Sequence, residues 1–579
     1  MGGEAGRMRL AVLWLMVVGT CTSCASPPSA GTTGGNAASS APVAPAAPKR
    51  ASIVTFREMD FLPNNSFPGS PDIRHIVNAG LVAVDDRGAL RPLLVEAVPT
   101  LENGLWKLFP DGRMETTWRL RDGVAWHDGA AFTSEDLLFT AHVGQDRSTG
   151  AFGNAAYAVV EGVTAPDPQT VVVTWKQPYV DADQMFSVAF GYPLPRHLLE
   201  GPYQQDPASL SQIPYWTQSY VGSGPYRLRE YAAGSRIALE AFDRYVPGRP
   251  KIDEIDLVYI PDPNTALANL FSGVADLNVG IGIPVDAAVE MRDRWREGSF
   301  AFEFSDHRWY VIDPQFMDPT PAIIGDLRFR QALMHAIDRQ EMAETLQAGL
   351  SPVAHSLMAP NQPDFRDLEQ RVTKYAYDPR RAAQMLQDLG YTRGTDGWLR
   401  DAAGQQLEVE IRGSSDAVQK PMLSVADYWQ RVGVASSSFV IPAQRASDWP
   451  WRATFPGFTM FTGTNDVSAL QALLGSRSRT AENNFEVAGI PNWPRYRNPE
   501  MDDLVNRYFR TIPKTERIQL LTGINEHIAD QLNLMGLYYF PTPYAISNRL
   551  VNIPTNRASK SSIAWNVQEW DIESVGAKR

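Results

Sequence analysis

Residues Trp118-Arg119-Leu120-Arg121-Asp122-Gly123-Val124-Ala125-Trp126-His127-Asp128-Gly129, followed by Phe132-Thr133-Ser134-Glu135-Asp136, decide how the whole chain is read. They run from a strand-like segment through two turns into a helix start. Gly123 and Gly129 suit tight turns, because glycine enters the left-handed backbone region without a Cβ penalty. Thr133 and Asp136 cap the helix, Glu135 and Asp136 place acid in its first turn, and Leu137, Leu138 and Ala141 form its buried side. His127-Asp128 has the residue types of an acid-base pair. It lies in a turn with no nucleophile nearby in sequence, so a structural role is expected.

Other elements extend outward from this block. Asp378-Pro379 opens a helix lined by Ala382, Ala383, Leu386 and Leu389 and closed by Gly390. Asn498-Pro499 opens another, with Met501, Leu504, Val505 and Tyr508 as its apolar stripe. Thr170 to Trp175, Arg236 to Ala241, Ile255 to Ile260 and the segment holding Val409 and Ile411 read as strands. A chain of 579 residues is too long for one core, and mixed strands and helices predict α/β lobes. The 43 Pro and 43 Gly fall mostly between these segments, as suits long loops over a cleft.

Composition and motifs narrow the function. The net charge of -12, with no basic run after the N-terminus, argues against nucleic-acid binding. No G-x-S-x-G or H-E-x-x-H occurs, the eight His are scattered, and Gly222-Ser223-Gly224-Pro225 is too short for a phosphate loop. The expectation is therefore no catalysis, no cofactor and no metal site. The aromatic run Trp449, Trp451, Phe455, Phe458 and Phe461 lies among Pro and Gly. Core packing accounts for most aromatic residues, but rigid rings beside exposed backbone also suit a cleft for an extended ligand.

Arg7 and Arg9 precede an apolar run, Leu10 to Val18, then small residues with Cys21 and Cys24. This is the layout of an export signal too short to span a bilayer. It predicts a lipoprotein signal over 1–24, with Cys24, or alternatively Cys21, lipidated. The Ala/Pro/Gly/Ser/Thr stretch over 25–50 then forms a disordered tether. The mature body would be extracytoplasmic and touch the membrane only through its lipid anchor.

The chain resembles the family 5 extracellular solute-binding proteins, the oligopeptide-, dipeptide- and nickel-binding components of ABC importers. Five blocks carry the resemblance in order: Trp118 to Asp136; Gly222-Ser223-Gly224-Pro225-Tyr226; Pro261 to Asp276; Arg328-Phe329-Arg330-Gln331-Ala332-Leu333 through Ala336-Ile337-Asp338-Arg339; and Tyr377-Asp378-Pro379 to Gly390-Tyr391. It implies a periplasmic-binding-protein-like α/β fold, with two hinged lobes and an additional smaller domain around a central ligand cleft. Lobe I would comprise 51–91, 217–310 and 545–579, the smaller domain 92–216, and lobe II 311–544.

In peptide-binding relatives an acidic residue after an aromatic-rich strand pairs with the peptide amine. Here Gly463 takes that position, and Asp466 lies three residues further on, where it also reads as a helix cap. The ligand-binding candidates are Glu58, Met59 and Asp60 at the end of the first strand, with Trp449, Trp451, Phe458, Phe461, Thr462, Gly463, Asn465 and Asp466. The implied ligand is an oligopeptide or peptide-like small molecule, the implied partners are ABC permease subunits, and the protein is expected to be a monomer. A secreted hydrolase and a ligand-sensing lipoprotein on the same fold are the alternatives.

Overall fold

The structure, a computed structural model, describes residues 47–573 apart from 63–69, 150–154, 189, 281, 305–307, 363–364, 488 and 559. The expected signal, both cysteines and most of the tether lie outside the described residues. Among the described residues no helix is long and apolar enough to cross a membrane.

Three sheets organise the body. A seven-stranded sheet has the spatial order Gly298–Glu303, Thr542–Ser547, Leu277–Val279, Arg50–Thr55, Glu254–Tyr259, Arg236–Ala241 and Tyr226–Ala232. Its centre is parallel, with Ile53 opposite Leu257 on one side and Leu277 on the other. Ile53, Leu257 and Leu277 are buried, as expected for strands covered on both faces. A four-stranded antiparallel sheet holds Trp106–Leu108, Met114–Arg119, Thr170–Trp175 and Val160–Asp167. Arg236–Ala241 and Thr170–Trp175 coincide with the segments predicted as strands.

The deciding block forms as its residues dictate. Gly123 and Gly129 have φ of 76° and 91°. Thr133 caps the helix Ser134–Gln145, and its N–H donates to Asp136 Oδ2 at 2.9 Å in a capping box. His127 then clasps this block to the second one. Its Nε2–H donates to the Gly224 carbonyl at 3.0 Å, and its Nδ1 accepts from the Gly222 N–H at 3.1 Å. Burial pushes its pKa down to about 4, so the ring is neutral at physiological pH. Asp128 turns away to His197, 2.7 Å from its Nε2, so the adjacent acid and imidazole do not form a pair. Gly222 and Gly224 press against the Val77–Asn78 backbone, where a Cβ at either position would overlap main-chain atoms.

The five-stranded sheet has the order Ala435–Val440, Glu408–Gly413, Phe458–Thr464, Arg308–Pro314 and Met535–Tyr539. On one face Ile312, Phe458 and Met460 pack against Leu333, Leu386, Val425 and Trp429. On the other, Trp309 and Val311 meet Leu470, Leu473, Met501 and Ile524. Asp378 and Asn498 cap the helices Pro379–Asp388 and Pro499–Arg510, accepting from the N–H of Arg381 and Met501. The arginines of the fourth block are structural. Arg330 donates to the carbonyls of Ile324 and Gln531, and Arg339 to those of Ala354, Tyr375 and Gly536.

Sheet membership places two expected boundaries inside strands. Residues 308–310 belong with Arg308–Pro314 in the five-stranded sheet, and 542–544 with Thr542–Ser547 in the seven-stranded sheet.

Candidate functional site

Arg308–Pro314 and Phe458–Thr464 pair antiparallel, with Trp309 opposite Gly463 and Val311 opposite Phe461. Because side chains alternate along a strand, Trp309, Val311 and Asp313 share one face. That face borders a cavity of about 50 Å³, lined also by Phe461, Leu473, Trp493, Pro494 and Asn533 among others. Gly463 leaves the space that Trp309 and Phe461 occupy. A Cβ there would lie 2.9 Å from Phe461 Cε2 and 3.1 Å from Trp309 Nε1.

The cavity's polar groups are few and distinctive. Asp313 is 1% exposed, and neither of its carboxylate oxygens has a hydrogen-bond partner among the described residues. Burial alone holds its pKa well above the usual carboxylate range. Asn533 is equally buried, and its Oδ1 also lacks a partner. The loop bearing Trp493 is anchored by Asn492, whose Nδ2 donates to the carbonyls of Leu474 and Tyr496.

Behind Trp493 lies a ladder of rings and cations. Trp449 and Trp493 have centroids 6.3 Å apart. The Arg479 guanidinium lies 4.3 Å from the Trp449 centroid, and that of Arg452 lies 4.7 Å from the Trp493 centroid. Such stacks fix ring orientation through cation–π attraction.

The predicted residues divide sharply. Phe461 and Gly463 line the cavity, and Trp449 supports its wall. The Thr462 hydroxyl accepts from Arg308 at 3.1 Å. Trp451, two positions from Trp449, points elsewhere and stacks between Arg412 and Arg445. Phe458 is a correction: it is fully buried against Trp429, with no face left for a ligand. Asn465 is corrected likewise, being fully buried with its Nδ2 donating to the Arg308 carbonyl.

Asp466 takes the capping role. Its Oδ1 accepts from the Ser468 N–H at 2.6 Å ahead of the short 3-10 segment Val467–Leu473. The run from Trp449 to Phe461 is also less loop-like than expected, since it contains the short helix Trp449–Ala453 and enters the strand Phe458–Thr464.

Glu58, Met59 and Asp60 lie at a different place. Glu58 and Met59 border a smaller hollow beside Tyr231 and Gly234. The Glu58 carboxylate accepts from the Gly234 N–H, and the Met59 carbonyl accepts from the Tyr231 hydroxyl. Asp60 Oδ1 accepts from the Leu62 N–H.

Sequence reasoning missed Trp309, Asp313, Trp493 and Asn533. Trp493 had one available signal, its setting in Pro491-Asn492-Trp493-Pro494, where flanking prolines fix a ring on a loop. Asp313 and Asn533 carry no local signal.

The family model described as bacterial extracellular solute-binding proteins, family 5 Middle, matches residues 96–475. A Brucella ovis protein with the provisional name ABC transporter peptide-binding protein is 29% identical over 289 residues, 50% of this chain and 51% of that one. The chain thus spans about half the length of that relative. The oligopeptide-binding protein AppA of Bacillus subtilis is 22% identical over 504 residues, covering 82% of this chain and 85% of that one. Two solved structures share the fold. NikZ from Campylobacter jejuni, in complex with Ni(L-His), has a TM-score of 0.71 at 21% identity, covering 90% of this chain and 99% of that one. Bacillus subtilis AppA, in complex with a nonapeptide, has a TM-score of 0.69 at 20% identity, covering 91% and 100%.

Proposed function

The chain belongs to the bacterial extracellular solute-binding proteins of family 5, and from that premise we propose that it captures an oligopeptide or peptide-like solute and delivers it to the permease of an ABC importer. The observation that carries this reading is the cavity beside the Arg308–Pro314 and Phe458–Thr464 pair, walled by Trp309, Phe461 and Trp493. Rings on a strand surface hold an extended guest by area and stacking, while main-chain groups supply hydrogen bonds.

In this reading the seven-stranded and five-stranded sheets belong to two lobes, with the four-stranded sheet in the additional domain. The chain passes from the first sheet to the second after Glu303, and back between Tyr539 and Thr542. The short crossing between Tyr539 and Thr542 suits a hinge, and closure about it would enclose the solute. Phe461, Thr462 and Gly463 contact the solute from one lobe, with Trp449 behind them. Glu58, Met59 and Asp60 contribute from the other. Export and lipidation at Cys24 or Cys21, with the body acting as an extracytoplasmic monomer, complete the proposal.

Native mass spectrometry of protein purified without denaturation tests it. A ladder of bound peptide masses is expected. A single recurring non-peptide mass would replace the peptide reading with another solute.

A further inference from the structure

The cavity has an acceptor pair at its base that the peptide reading alone does not use. Asp313 and Asn533 come from distant segments, line the same cavity, and are each 1% exposed. Among the described residues neither Asp313 oxygen has a partner, nor does Asn533 Oδ1. A buried acceptor gains from an incoming donor, which supplies the hydrogen bond it lacks. The remaining walls are rings and aliphatic groups, and no lysine or arginine lines the cavity. Aromatic faces above a buried carboxylate favour a cation on an apolar stem: the stem displaces water from the rings, and the head meets the acid.

We propose that this cavity is a cation-selective subsite, in which Asp313 and Asn533 receive an ammonium or guanidinium group whose apolar stem lies against Trp309, Phe461 and Trp493. The inference rests on the solute-binding reading and names the chemistry of its guest. The cation is either a basic side chain or the free amine of the solute. Burial holds the Asp313 carboxyl well above the ordinary carboxylate range. Arrival of the cation ionises it and releases its proton to solvent, leaving a neutral pair in the cavity.

The test uses the full-length protein and three alanine-rich pentapeptides: N-acetylated with a central lysine, N-acetylated with a central norleucine, and free-amine with a central norleucine. In calorimetry the lysine peptide is expected to bind roughly 10- to 100-fold tighter than its acetylated norleucine counterpart. Asp313→Asn should abolish that preference, and Asn533→Ala should weaken it. Buffer-dependent heats should report proton release for the lysine peptide alone. Tighter binding of the free-amine norleucine peptide instead assigns the subsite to the terminal amine. Equal binding of all three peptides, or equal losses in Asp313→Asn, overturns the proposal.

A second arm is independent of peptides and compares thermal stabilisation by n-hexylammonium and n-hexanol. If no peptide binds, yet n-hexylammonium stabilises wild type and not Asp313→Asn, the peptide reading fails and the subsite stands. No stabilisation by n-hexylammonium, or equal stabilisation by n-hexanol, removes the subsite.

Discussion

At the Trp126–Gly129 turn, the buried His127 ring has backbone partners for both nitrogens in Gly222 and Gly224. At the end of Arg308–Pro314, the more deeply buried Asp313 has a partner for neither oxygen among the described residues. The first arrangement holds two distant segments in register. The second leaves both acceptors of a cavity-lining residue without a protein partner among the described residues. An ionisable side chain whose valences are filled from its own backbone belongs to the scaffold. One left unfilled beside a cavity marks where something else is to bind.

The comparison can be broken first at the clasp. Gly224→Val forces side-chain carbons into the Val77–Asn78 backbone, which cannot withdraw. We expect a loss of at least about 4 kcal/mol or failure to fold, read by urea denaturation. A stable Gly224→Val protein would show that the two blocks are not locked together.

His127→Gln should cost about 2–3 kcal/mol at neutral pH, since the amide cannot replace both ring hydrogen bonds in the same place. It should also change the acid response. The folded pKa of His127 is about 4, below the unfolded value of 6.5, so its neutral form stabilises the protein above pH 6.5. That contribution, about 3 kcal/mol, is lost as pH falls from the unfolded value through the folded one. The stability difference between wild type and His127→Gln should therefore shrink across this window. A constant difference would mean that the ring is not held neutral.

Substitutions near the cavity sharpen the other side. Gly463→Ala meets the side chains of Phe461, Trp309 and Val311 rather than backbone, and these can shift, so a cost of about 1 kcal/mol is expected. Solute affinity should fall more than stability does. Asp466→Ala should cost about 0.5–1 kcal/mol as a lost cap, with solute affinity unchanged. Loss of affinity there would restore Asp466 as a ligand contact.

How much of this was legible in sequence follows from the same contrast. The turn glycines, Thr133, Asp378 and Asn498 act on neighbours within a few residues, so their roles can be read locally, and the structure places each as expected. The family blocks were legible for the same reason, as they encode turns, caps and close approaches. The cavity draws on 309–313, 461–464, 490–494 and 533, which only the sheet order brings together. Along Phe458–Thr464, alternation sends Phe458 into the core and Phe461 to the cavity, a choice that depends on which face the helices cover. The aromatic pattern identified the strand without identifying the faces. Asp466 had two readings in sequence because an acid near a ligand-facing strand and an acid before a helix look the same until the Ser468 N–H is seen beside it.

The central claim is that the solute is held in the cavity walled by Trp309, Phe461 and Trp493. Its most direct test is the affinity of the co-purified solute, removed and re-added by titration, for wild type and Gly463→Leu, whose larger side chain fills the space. The account predicts a roughly 100-fold loss of affinity in a variant that still unfolds cooperatively. Unchanged affinity in that folded variant would place the solute elsewhere and contradict it.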